Sequence, residues 1–255
     1  MYKFFKKIGL VLLVIGSFIY TEKAALVVKE YDKLMIELKE KASTLNSNVK
    51  EAIIKDNNII PGISGRIVNI DKSYSKMREY SKFDLDLIVY NKTYPKKRLI
   101  DNKDKFIIKT QKEEVALIIK IVGIINNEIL DIGDNVSFYA DSATIKNNKE
   151  LINKLSKRHT ILSNNNKFLK QIIGQKNGFC LTEEYDKEIL KKCFKNSDFT
   201  IVPSIVLKDN NMYKLNKNLD KGVIILSTMN NYKTVLKYIK NKGYKIVSID
   251  ELLSE

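Results

Sequence analysis

The sequence predicts an α/β protein whose C-terminal half is a helix-covered parallel sheet or barrel, and three observations predict it. From Glu113 onward, short and wholly apolar runs alternate with amphipathic segments. Strands buried on both faces read as continuous apolar runs because neither side meets water. The clearest break in the chain is Pro61-Gly62-Ile63-Ser64-Gly65, since both residue types end regular structure. Ahead of it lie a basic-flanked apolar stretch and a helix of heptad spacing.

Lys3, Lys6 and Lys7 precede an uncharged run from Ile8 to Tyr20. Basic residues before an apolar stretch hold the N-terminus inside and send the remainder outside. The run falls short of the roughly 20 residues a spanning helix needs, but Phe4 and Phe5 extend it where lysines can snorkel to the headgroups. Residues 1–22 are therefore read as an uncleaved signal anchor. It would be a single-pass segment of the cell membrane that leaves the bulk of the chain extracytoplasmic. A cleaved signal peptide stays open, although Thr21-Glu22-Lys23-Ala24-Ala25 offers no clean A-x-A site.

Over residues 23–58 the positions Ala24, Val28, Tyr31, Met35, Leu38, Ala42, Leu45 and Val49 step by fours and threes. That seam suits a stalk helix forming a homodimer, and equally an amphipathic helix packed on its own domain. Residues 59–112 are expected to form a small α+β module that needs a neighbour for burial. It has a strand at Arg66–Ile70, a helix at Ser73–Tyr80 capped by Asp71 or Ser73, and a strand-like run at Leu85–Tyr90.

Beyond residue 113, strands are expected at Val115–Val122, Val136–Ala140, Ile161–Ser163, Gly178–Leu181, Phe199–Val202, Gly222–Leu226 and Lys245–Ile249. Helices are expected at Lys146–Lys157, Phe168–Ile173, Tyr185–Phe194 and Asn231–Lys242, the last ending at Gly243.

The chain carries 45 Lys and Arg against 30 Asp and Glu, a net charge of +15, and only Arg66, Arg78, Arg98 and Arg158 are arginines. Nucleic-acid readers favour arginine forks and a recognisable motif; neither is present, so no nucleic-acid partner is expected. The lysines read either as an ordinary solvated surface or as attraction to lipid headgroups or acidic wall polymers. Cys180 and Cys193 are the only cysteines. They read as buried apolar thiols, with a bridge left open for a domain outside the cell. There is one histidine, His159, and no tryptophan.

Three stretches resemble the polysaccharide deacetylase (NodB-homology) family: Val136–Asn165, Phe179–Ser204 and, most specifically, Gly222–Leu253 with its Lys-Gly-Tyr before a final strand and helix. The resemblance covers residues 113–255 and implies a distorted (β/α) barrel, shortened against the family's usual domain. It also implies a metal-assisted hydrolysis, in which a divalent cation held by Asp-His-His activates water beside a basic Asp.

The matched positions depart from that pattern throughout. Ile118-Ile119-Lys120-Ile121-Val122 stands for Thr-Phe-Asp-Asp-Gly, Asn164 and Phe168 stand for the two histidines, and Leu226-Ser227 stands for Leu-His. Cys180-Leu181-Thr182-Glu183-Glu184 replaces Arg-Pro-Pro-Tyr-Gly, and His159 matches a family position that is not a ligand. One histidine cannot make a two-histidine site. No catalytic residue, metal or cofactor is expected; Asp131, Asp134 and Asp141 could in principle bind Mg²⁺ or Ca²⁺, but read as solvated loop carboxylates.

The expected function is a catalytically degenerate envelope protein that binds glycan or serves as a scaffold for an envelope protein. Its groove would be lined by Lys120, Asn164, Glu183 and Ser227. Two others stay open: an active C–N hydrolase on wall polysaccharide with an unrecognised site, and a coiled-coil envelope assembly protein.

Overall fold

The computed structural model describes residues 15–17, 19–21, 23–123, 125, 127–133, 135–174, 178–208 and 211–254. The anchor expected at 1–22 lies mostly outside the described residues, and no helix among them is long and apolar enough to cross a membrane.

The chain forms two compact units, Met1–Asn48 with Gly65–Thr93 and Val49–Ser64 with Tyr94–Glu255. This differs from the serial division expected at 58 and 112. β1 (Ile53–Lys55) and β2 (Asn58–Ile60) form a hairpin, and β2 then pairs in parallel with β5 (Phe106–Ile107). Residues 49–64 thus belong to the larger unit's sheet.

In the smaller unit, α1 (Lys33–Leu45) starts afresh after a helical stretch at 23–30. Asp32 is extended (φ −65°, ψ 132°), and its carboxylate accepts the Leu34 N–H at 2.8 Å. An N-cap breaks the helix expected to run continuously over 23–58. α1 buries Leu34, Met35, Leu38 and Ala42 against Val68 of β3 (Gly65–Val68) and Tyr74 and Met77 of α2 (Ile70–Arg78). Met35, Leu38 and Ala42 of the heptad seam are therefore consumed within their own unit, while Val28 and Tyr31 remain 72% and 79% exposed. Asn69, rather than Asp71 or Ser73, caps α2 by accepting the Lys72 N–H. Ser73 is buried instead, its hydroxyl taking the Val89 N–H at 2.9 Å. The strand expected at Leu85–Tyr90 is a 3-10 turn at Leu85–Leu87, followed by β4 (Tyr90–Thr93) antiparallel to β3.

The larger unit carries β6 (Val115–Ile121), β7 (Ser137–Ala140), β8 (Ile161–Leu162), β9 (Phe179–Leu181), β10 (Phe199–Ile201), β11 (Ile205–Leu207), β12 (Ile224–Thr228) and β13 (Ile246–Val247). One sheet runs β11-β12-β6-β7-β8 with β13 also on β6, and another runs β1-β2-β5-β10-β9. A parallel bridge from Ser163 to Cys180 joins β8 to β9. Every ladder here is parallel except β1 with β2.

Alternation divides the core. Val115, Leu117, Ile119 and Ile121 of β6 pack with residues of the surrounding helices, whereas Ala116 and Ile118 join Ile59, Ile107, Tyr139, Leu162, Leu181, Ile201 and Leu226. A single cluster collecting residues from both ends of the strand order means the sheet curls into an incompletely closed barrel.

The helices α3 (Ser142–Asn147), α4 (Lys149–Ser156), α5 (Asn166–Ile173), α6 (Lys187–Lys195), α7 (Met212–Asn218), α8 (Tyr232–Asn241) and α9 (Ile249–Leu253) complete the unit. The helix expected over Lys146–Lys157 is split at Asn148. Its amide accepts from Ile125 N–H at 3.0 Å and donates to the Gly123 carbonyl at 2.7 Å, tying down the segment after β6.

Candidate functional site

The C-terminal ends of the parallel strands are where this architecture can collect polar side chains, because a strand's interior residues give way to solvent there. Counting by twos along each strand from a barrel-interior residue locates them. Lys120 follows Ile118 in β6, Tyr139 itself faces inward in β7, Asn164 follows Leu162, Glu183 follows Leu181 and Thr228 follows Leu226. In register, Lys120 stands between Tyr139 and Thr228.

The Lys120 ammonium lies 2.5 Å from a Glu183 carboxylate oxygen, the two side chains being 32% and 26% exposed. Their pairing ties the end of β6 to the segment after β9. A cavity of about 360 Å³ opens beside it, walled by Lys120, Glu183, Val206, Lys208, Leu226 and Thr228. A second, of about 530 Å³, lies on the other side of Glu183 and includes Tyr139, Asn164, Thr182 and Tyr185.

Burial pushes the Tyr139 phenol up to about 12, with the negative charges of Glu183 and Asp141 adding to the effect. The phenol is therefore a neutral hydrogen-bond donor throughout the physiological range. An unfolded chain releases this proton near 10, so the stability tied to it is complete below pH 10 and is lost as the pH climbs to about 12. The expected result is a phenolate absorbance step near pH 12 that disappears in Tyr139→Phe. If the step lost in Tyr139→Phe lies near pH 10 instead, the hydroxyl stands in water, the other tyrosines giving the same signal in both proteins.

Lys120 and Glu183 thus meet, and Asn164 borders the adjoining cavity. Ser227 borders the cavity beside Lys120, but it is fully buried, and the pleat puts it on the side of Val223 and Ile225, facing the helix layer. Thr228 takes the inward position. Sequence reasoning missed Tyr139 and Thr228, although strand parity counted from Leu226 points to the latter.

The residues present do not fit a divalent cation. Among the described residues no group of three His, Cys, Asp or Glu comes together to hold one. His159 precedes β8, at the opposite end of the barrel. Its Nδ1 lies 3.2 Å from the Val136 carbonyl, its ring meets Phe138 edge-on, and its buried Nε2 has no hydrogen-bond partner. Asp141 is spent capping α3, accepting the Thr144 N–H at 2.7 Å. Asp131 closes the 3-10 turn Asn127–Asp131, and Asp134 lies outside the described residues. With an ammonium at the mouth, the Glu183 carboxylate already has its cation.

The two cysteines are buried as expected but joined: Cys180 of β9 and Cys193 of α6 form a disulfide.

No family model matches the sequence, and no curated protein matches it. Solved structures do match. BA3943 from Bacillus anthracis, described as a CE4 family pseudoenzyme, superposes with a TM-score of 0.66 at 20% identity over 88% of this chain and 96% of its own. A BA3943 mutant described as having restored enzymatic activity gives 0.65 at 19% identity over 88% and 99%. At that identity the likeness shows a shared fold alone, an α/β fold as expected from the sequence.

Proposed function

We propose that this chain is a non-hydrolytic, polysaccharide-deacetylase-like protein of the cell envelope that binds glycan at the barrel mouth around Lys120, Asn164, Glu183 and Thr228. The observation that carries this reading is the Lys120–Glu183 ion pair, a fixed ammonium where hydrolysis on this fold requires a cation gripped by anionic and imidazole ligands. Breaking such a partly buried pair leaves a charge without its counter-ion, so it resists displacement by a metal.

What the mouth keeps suits sugar hydroxyls and amides: a neutral phenol at Tyr139, an amide at Asn164 and a hydroxyl at Thr228. Tyr185 is 59% exposed, with its ring held edge-on to Phe106, a geometry that leaves aromatic surface for stacking. The pseudoenzyme description of BA3943 agrees with a fold kept without its chemistry. Attachment through residues 1–22, with the bulk of the chain outside the cell, belongs to the same proposal. It is supported by the basic flank and apolar run, and by a disulfide of the kind that persists in oxidising compartments.

The test is to incubate the full-length protein in detergent with an N-acetylated oligosaccharide, with and without zinc. No acetate release and no stoichiometric metal are expected, together with retention on the immobilised glycan. Metal-dependent release would overturn the non-hydrolytic reading, and absence of retention would overturn the glycan reading.

A further inference from the structure

A groove of about 680 Å³ continues from the mouth, sharing Asn164, Asp186 and Ile189 with the cavity beside Glu183. One wall is α6 and the other is the start of α5. Lys192 and Lys195 reach the groove from α6 and Lys167 from α5, all three exposed. Lys192 and Lys195 are three residues apart and so share a helix face. The one carboxylate on this lining, Asp186, is occupied as the cap of α6, accepting the N–H groups of Glu188 and Ile189 at 2.8 and 3.1 Å. None of the three ammonium groups is ion-paired among the described residues. Like charges gathered in one concavity raise the local potential and draw in anions. The α6 wall is also cross-linked to the barrel, because Cys193 lines the groove and is bonded to Cys180 of β9.

We propose that this groove binds an anionic polymer strand, its repeated phosphate or carboxylate groups lying along Lys167, Lys192 and Lys195 and its sugar units leading into the mouth. The inference names the class of glycan and, in its second half, rests on the reading of the mouth given above. Lysines without arginine forks neutralise a string of charges without selecting one planar anion.

The experiment compares the full-length protein with Lys167→Gln/Lys192→Gln/Lys195→Gln. A control, Lys217→Gln/Lys233→Gln/Lys237→Gln, loses the same charge on α7 and α8. The probes are inorganic polyphosphate, polygalacturonate, a neutral chitin oligosaccharide and vesicles rich in anionic lipid.

The groove variant is expected to bind one or both polyanions about tenfold more weakly, with a salt dependence shallower by about two to three counterions, while the control stays within about twofold of wild type. Which polyanion responds identifies phosphate or carboxylate. Equal weakening in both variants would show diffuse surface charge and overturn the proposal. So would loss of vesicle binding alone, or no polyanion binding at all. Failure of the neutral oligosaccharide to bind any variant would count against the mouth and leave the groove standing.

Discussion

Replacing Gly222 with alanine is expected to remove about 4 kcal/mol of stability, on the order of 8–16 °C in Tm for a domain of this size. Gly222 enters β12 at φ +71°, and a Cβ there would stand 2.1 Å from the Thr110 carbonyl oxygen and 2.7 Å from its carbon. Both are backbone atoms, so no side chain can swing aside. Thr110 cannot retreat either: its N–H donates to the Gly222 carbonyl at 2.8 Å, and Lys109 bridges Val223 next door. Relief would lift the start of β12 from β6 and cost the Ala116–Val223 hydrogen bond of 3.1 Å. The comparison is Gly243→Ala, where φ is +82° but nothing lies within 4 Å of the added carbon. Only the left-handed backbone penalty applies there, about 1–2 kcal/mol. Urea or thermal melts of the two variants should separate by more than their error. Equal losses would show that contact with Thr110 is relieved at no cost.

Removing the disulfide as Cys180→Ala/Cys193→Ala is expected to cost about 3 kcal/mol. The two cysteines are 13 residues apart, and a closed loop of that length removes about this much chain entropy from the unfolded state. Both sulfur-bearing residues are almost without exposure, 0% and 1%. Reductant should therefore leave the native protein intact at room temperature and lower the midpoint only when added during denaturation. The effect reaches the site, because Glu183 lies two residues beyond β9 and α6 forms a wall of the lysine-lined groove. A double variant melting with the wild type would show that the cross-link contributes nothing.

The βα half was legible because its strands are buried on both faces: VALIIKI has no polar side until Lys120, which marked the end of an inward row. β1, β2 and β5 were not legible. Strands of three, three and two residues lie below the length at which any period shows, and the partner that ties β5 to the barrel, β10, comes about ninety residues later. Only Met35, Leu38 and Ala42 of the heptad positions are buried, and in their own unit; periodicity says that a face is apolar and not what covers it. Tyr139 passed for core because it sits in a run of apolar neighbours, and its hydroxyl acquires meaning only beside Glu183. The cysteine spacing carries no geometry, so pairing had to come from β9 and α6 lying together. Ser227 stood one residue from the inward position, and a one-residue step along a strand changes the face.

β6, the seven-residue run at the middle of its sheet, takes β7 on one edge, β12 on the other, and β13 on the β7 edge at Val115 and Ala116. The latter two are among the last strands to leave the ribosome, and the Val115 N–H waits for the Lys245 carbonyl. A growing polypeptide must therefore carry an apolar edge strand with an unsatisfied side while about a hundred further residues are added. Such an edge is a template for association with other chains. Pairings this distant in sequence also close slowly. Maturation of this protein should thus lean on chaperones until its central strand has been sealed on both edges.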